Sequence, residues 1–187
     1  MTDVQFTELE IPGVFLLSPV RFRDIRGVFS EVYSAKRLAQ HGIHDVFVQD
    51  NQSLSSKAGT VRGLHYQAPP KSQVKLVRAV RGRLIDVAVD VRRSSPTYGQ
   101  HVAVELSAEN GLQLYIPHGL AHGFCTLEPD TEIVYKVSSE YAPDAEGGVL
   151  WSDPDLKIDW PVDVSSAIVS GKDAILPLLK DVPPVFD

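Results

Sequence analysis

The sequence predicts an all-β domain of the sandwich or barrel type, edged by short helices. Short runs in which apolar and polar residues alternate recur at regular spacing along most of the chain. Gly, Pro and Asn punctuate them at turn positions. With 187 residues, 43% of them hydrophobic, the chain is long enough for one full core, and neither an internal repeat nor a long linker divides it. The expectation is therefore one domain over residues 1–187.

The elements follow in order. Residues 4–17 read as short strand pieces broken at Pro12-Gly13. A turn at 24–27 leads into a strand in which Val28, Ser30 and Val32 alternate with Phe29, Glu31 and Tyr33. Both sets are mixed, which predicts cover on each side. Ser34 is placed to cap a short helix over 35–40, with Gly42 as its stop. In 47–53 one face carries Gln49 and Asn51. Paired amides suit a ligand surface, because they donate and accept; an exposed edge strand explains them equally well. Residues 75–80 and 84–91 pair around Arg81-Gly82-Arg83, and Asp86 and Asp90 read as surface charges. Strands over 102–106, 112–116, 122–127 and 132–138 are separated by Asn110-Gly111, Pro117 and Pro129-Asp130. Residues 141–160 read as ordered loop. Ser170 and Asp173 fit a capping box for a helix up to about Leu179, limited by Pro177.

Composition excludes several functions. The net charge is −6 and the basic residues are dispersed, which argues against nucleic acid. Arginines 78, 81, 83, 92 and 93 sit near predicted strand ends and read as solvated faces. The single cysteine, Cys125, has no internal disulfide partner, which favours a reducing cytoplasm. Its setting in HGFCTL marks a buried strand position rather than a nucleophile. The N-terminus lacks the pattern of a secretory signal, and no apolar run approaches membrane-spanning length.

Residues 60–75, TVRGLHYQAPPKSQVK, concentrate polar chemistry in a strand-like segment. Buried polar groups require partners, so the stretch builds an internal network or lines a pocket. A metal is not expected. His65-Tyr66-Gln67 lacks a second imidazole, and Pro117 and Gly119 break the helix that would align His118 with His122. Nor is there a serine-nucleophile elbow or a glycine-rich phosphate loop. Acid–base chemistry remains. Histidine titrates near neutrality, which makes His65 the natural general base. It needs a carboxylate to fix its tautomer, which the residues themselves do not assign. Lys75 is suited to a developing oxyanion. Tyr135 shares a face with Ile133 and Val137 and points inward. An inward tyrosine or a lone buried histidine is by default a satisfied core residue. In a regular strand Arg62 and His65 face opposite sides; a bulge at Gly63 would bring them together.

The ordered segments FRDIRGVFSEVY, QDNQS, GTVRGLHYQ, QVKLVRAVRG, DVAVDVR, IPHGLAHGF, IVYKVSSEY and EGGVLWSDPDL resemble the dTDP-4-dehydrorhamnose 3,5-epimerases, cupin-like sugar-nucleotide epimerases. IPHGLAHGF is similar to the second cupin signature, while the metal-binding histidine pair of the first is missing, as is usual for this metal-free family. The resemblance implies a jelly roll, or double-stranded β-helix, with no cofactor and no metal. It implies inversion at C3 and C5 of dTDP-4-dehydro-6-deoxy-D-glucose, giving dTDP-4-dehydro-L-rhamnose for dTDP-L-rhamnose synthesis. His65 would remove a proton alpha to the C4 ketone, Lys75 hold the enolate oxygen, Tyr135 return a proton from the opposite face, and Asp173 pair with His65. Arg26 and Arg62 correspond to positions near the diphosphate. Glu31, Gln49, Asn51, His122, Glu146 and Lys172 correspond to other substrate contacts. The family is usually a homodimer with exchanged N-terminal strands, which would place Arg26 and Glu31 in the partner's site. Three rivals stand beside this reading. They are a 3- or 5-position epimerase of a dTDP-4-keto sugar, a ketoisomerase, and a non-catalytic sugar-nucleotide-binding jelly roll.

Overall fold

The computed structural model describes residues 4–187; residues 1–3, part of the stretch read for a secretory signal, lie outside the described residues. Two antiparallel sheets face each other. One has six strands: β1 (Gln5–Glu8), β2 (Phe15–Ser18), β10 (Gln113–Ile116), β7 (Lys75–Arg81), β12 (Thr131–Val137) and β5 (Gln49–Ser55), in that spatial order. The other has five: β13 (Glu146–Gly148), β6 (Val61–Gln67), β11 (Leu120–Thr126), β8 (Arg83–Asp90) and β9 (His101–Ser107). From β5 onward, successive strands mostly alternate between the sheets, which is the expected jelly roll.

Sequence alternation explains how the sheets close. Val77 and Ala79 of β7, Leu84 and Ala88 of β8, Leu120 and Phe124 of β11 and Ile133 of β12 turn inward and meet in one apolar core. The opposite face of the five-stranded sheet is also buried. Leu64, Val87, Val89 and Ala121 pack there against Leu156, Leu179, Val182 and Phe186 of the C-terminal segment. A sheet covered on both faces loses the clean in–out alternation. That is why Asp86 and Asp90, expected on the surface, are fully buried. Asp90 accepts hydrogen bonds from Arg92, Ser95 and Thr97, so Arg92 is a structural partner rather than a solvated face.

The short helix α1 (Ala35–Gln40) forms as expected, its first turn capped by Ser34, whose Oγ accepts from the Arg37 N–H. Three expectations are corrected. The strand read through Val28 to Tyr33 is only β4 (Gly27–Phe29), paired with β3 (Phe22–Asp24) in a hairpin. Its apolar side chains are exposed, Ile25 completely and Phe29 at 72%. No α-helix follows Ser170. The capping hydrogen bond from Asp173 N–H to Ser170 Oγ forms at 3.1 Å, but it starts only a 3-10 turn, Asp173–Ile175. Pro177, which cannot continue a helix, precedes a second such turn, Leu179–Asp181. Within the loop predicted over 141–160 a 3-10 turn and β13 form.

Candidate active site

The bulge in β6 builds the site. On β11, His122 stands opposite His65 and Phe124 opposite Arg62, so two residues of β6 face the single residue Gly123. The extra residue returns Arg62 and His65 to the same, inward face, while Val61 and Leu64 both turn outward. Only glycine fits at the crossing. Gly63 has φ +108°, and a Cβ there would lie 2.5 Å from the His122 carbonyl oxygen. A Cβ on Gly123 would lie 2.6 Å from that of Arg62.

A cavity of about 480 Å³ opens between the sheets at this point, lined by Arg62, His65, Lys75, His122, Tyr135 and Asp173 among others. His65 comes from the five-stranded sheet, and Lys75 and Tyr135 from the six-stranded one, so the groups face each other across the gap. Asp173 reaches in from its 3-10 turn. Its Oδ1 lies 2.8 Å from His65 Nε2, and its Oδ2 accepts the Gly63 N–H at 2.9 Å. Burial opposes its charge, but the hydrogen bonds from Gly63, His65 and Ser170 prevail and hold the carboxyl below its usual range. With Nε2–H donated to Asp173, His65 keeps Nδ1 as its proton-accepting nitrogen.

Lys75 is the opposite case. Burial pushes its ammonium group down to about 8, against the opposing charges of Asp86 and Glu146. Among the described residues its Nζ has one polar contact, a long 3.5 Å to the His65 carbonyl oxygen. Burial raises the Tyr135 phenol, with Arg62 pulling the other way, so Tyr135 stays protonated. Arg62 is tethered toward β5 by contacts of 3.3 Å to Ser55 Oγ and the Leu54 carbonyl. His122 donates to Asp86 at 2.8 Å, and burial lowers its pKa, which keeps the imidazole neutral.

The remaining candidate residues do not line this cavity. Glu146 and Lys172 pair at 2.6 Å, and Tyr141, absent from the sequence-based candidates, donates its hydroxyl to Glu146. Gln49 donates to Asn51 at 2.7 Å on the inner face of β5, and accepts the Tyr141 N–H. β5 is the edge of its sheet, as the edge-strand reading expects. Arg26 lies in the exposed β3–β4 turn, paired with Asp24, and Glu31 pairs with Arg37 of α1; neither joins the cavity within one chain. Asp86 was missed. Its signal is the placement of both Asp86 and Asp90 within the run LIDVAVD, whose other five residues are all apolar.

The sequence profile of the dTDP-4-dehydrorhamnose 3,5-epimerase family matches residues 8–181. A protein of that name from Sinorhizobium fredii is 48% identical over 186 residues, spanning 100% of this chain and 95% of its own. The crystal structure of a Bacillus anthracis dTDP-4-dehydrorhamnose 3,5-epimerase with TDP and PPi bound superposes with a TM-score of 0.91 at 48% identity, covering 94% of this chain and 99% of its own. A Legionella pneumophila dTDP-6-deoxy-D-glucose-3,5-epimerase in complex with dTDP-4-keto-L-rhamnose gives a TM-score of 0.92 at 42% identity, covering 96% and 95%.

Proposed function

The chain belongs to the dTDP-4-dehydrorhamnose 3,5-epimerase family, and from that premise we propose a division of labour among the residues of its cavity. The protein is an epimerase that inverts C3 and C5 of dTDP-4-dehydro-6-deoxy-D-glucose. The C4 ketone acidifies the hydrogens on both neighbouring carbons. His65 Nδ1 takes the proton from one ring face, the electron pair passes to the C4 oxygen, and the ammonium group of Lys75 stabilises the resulting enolate. That interaction strengthens only as charge develops, which is the condition for rate acceleration. Tyr135 delivers a proton to the same carbon from the opposite face, and the carbon inverts. Asp173 holds the His65 tautomer and stabilises its imidazolium.

The observation that carries this division is the placement of the Asp173–His65 pair and Tyr135 on opposing sheets, with Lys75 reaching between them. Arg62, His122, Gln49, Asn51, Glu146 and Lys172 contact the substrate in this reading, with the guanidinium of Arg62 on the diphosphate. Arg26 and Glu31 act in the partner's site of a homodimer. The exposed apolar hairpin and the absence of these two residues from the lining of their own chain's cavity support that arrangement. The whole chain, 1–187, acts as one domain. The single cysteine, Cys125, which has no internal disulfide partner, supports a cytoplasmic location in this reading.

Incubation with the substrate in deuterated buffer tests the reaction. Deuterium at both C3 and C5, with the L-lyxo product, is the expected outcome. Label at one carbon identifies a single-position epimerase, and tight binding with no label identifies a binding protein.

A further inference from the structure

Asp86 has a part that the acid–base chemistry above does not explain. It sits on β8 between Leu84 and Ala88, with its side chain turned into the sandwich and none of it exposed. Oδ1 accepts from His122, while Oδ2 is buried with no hydrogen-bond partner among the described residues. A half-partnered buried carboxylate is a burden on folding, and apolar residues of similar volume often replace such groups without loss. Its presence calls for a reason other than stability.

The groups around it supply one. Lys75 approaches from the opposite sheet, buried and with only the long contact to the His65 carbonyl. His122 on β11, His65 and Arg62 on β6, Tyr135 on β12 and Asp173 of the 3-10 turn line the same cavity as Lys75, and Glu146 on β13 adds its charge to that of Asp86 at Lys75. Of the acids among them, Asp173 is committed on both oxygens to Gly63 and His65. Glu146 is committed to Lys172 and Tyr141. The unspent carboxylate oxygen is that of Asp86.

We propose that Asp86 is a positioning residue for the reaction: its charge keeps Lys75 an ammonium ion inside the cavity, and its hydrogen bond fixes His122 beside it. This rests on the reading of Lys75 as the enolate partner. Burial alone drives Lys75 toward the neutral amine, and Asp86 is the larger of the two charges that oppose this. His122, held neutral with Nε2–H on Asp86, adds no competing positive charge. A neutral Lys75 would still donate a hydrogen bond but would offer the enolate no charge, so the site works only while Asp86 supplies its field.

Asp86→Asn tests this, because asparagine can still accept from His122 but carries no charge. The direct readout is the titration of Lys75, followed by NMR of lysine labelled at Cε and Nζ and assigned by its absence in Lys75→Arg. Removing an opposite charge at close range should lower the Lys75 midpoint by about one pH unit or more. The basic limb of kcat/KM should move with it, with roughly tenfold lower activity near the original limb. A folded Asp86→Asn protein with an unmoved Lys75 midpoint overturns the proposal. A midpoint that falls while the basic limb stays put upholds the hold of Asp86 on Lys75 and refutes Lys75 as the enolate partner. If Asp86→Asn does not fold, the Asp86 carboxyl carbon is followed in the wild-type protein. An ionised carboxylate from about pH 6 to 9, with an inflection at the Lys75 midpoint, supports the proposal, and a protonated carboxyl overturns it.

Discussion

Lys75 and Asp173 are both charged, both nearly out of water, and opposite in how the fold treats them. Asp173 has a donor on each oxygen, so its charged state is favoured in the folded protein. Asp173→Asn cannot satisfy both the Gly63 N–H and His65, and it releases the imidazole tautomer. Turnover should drop roughly 10²–10⁴-fold, the usual worth of an oriented general base, with little change in KM. Steady-state kinetics on the folded variant check this, and a loss confined to KM would assign Asp173 to binding instead. Lys75 has one long polar contact among the described residues, and burial, only partly offset by the charges of Asp86 and Glu146, brings it from the usual 10.5 down to about 8. Each pH unit is worth about 1.4 kcal/mol, so Lys75→Met should raise stability by about 1–3 kcal/mol, less than the full difference because Asp86 loses its counter-charge. Turnover should be abolished. The pH dependence has a definite sign. The folded chain releases the Lys75 proton first, so between about pH 8 and 10.5 the unfolded chain holds more protons. The destabilisation from this group therefore fades as pH rises through that window. Denaturant titrations at neutral pH and near pH 10 should show the gap between Lys75→Met and wild type narrowing; a constant gap would mean that folding leaves the Lys75 titration where it is in the unfolded chain.

At the scale of the element, the β6 bulge decides whether there is a site at all. Without it Arg62 and His65 would stand on opposite faces. The backbones of β6 and β11 approach so closely there that a methyl group on Gly123 meets the Arg62 carbonyl at 2.6 Å and Leu64 Cδ2 at 3.0 Å. Backbone cannot swing aside as a side chain can. Gly123→Ala should therefore cost about 2–3 kcal/mol and lower kcat in the protein that still folds, because the shift displaces His65. Chemical denaturation and kinetics measure the two effects, and a neutral substitution would show that the bulge tolerates looser packing. This element was readable in the sequence, because a glycine between two polar residues in a strand run is a bulge signal. So were the strands from β5 to β12 and the capped helix α1, each set by local alternation or a local cap. What was not readable depended on distant chain. Asp86 and Asp90 looked exposed because the residues that bury the far side of β8, Leu179, Val182 and Phe186, arrive from a tail with no periodicity of its own. The same holds for β13, the strand that carries Glu146, which forms by pairing with β6.

The molecule as a whole carries two features that one chain leaves unused. The β3–β4 hairpin projects Phe22, Ile25, Val28 and Phe29 into solvent, more apolar surface than so small an element normally exposes. The turn of that hairpin holds Arg26, which is exposed and does not line the cavity of its own chain. Both make sense in the proposed homodimer, where a two-fold axis lets each chain lend its hairpin to the other. The consequence is a complementation experiment. Arg26→Ala removes a group that acts in the partner's site, while His65→Ala removes one that acts in its own. Each homodimer should be nearly inactive, one through weakened binding and the other through loss of the base. When the two variants are unfolded and refolded together in equal amounts, half the dimers are mixed on statistical grounds. In each mixed dimer one cavity receives both lesions and the other receives neither. Activity should therefore recover to about one quarter of wild type, the value a two-fold arrangement with shared sites dictates. If Arg26 instead served its own cavity, every cavity in the mixture would keep one lesion, and the refolded pair would be no more active than its parents.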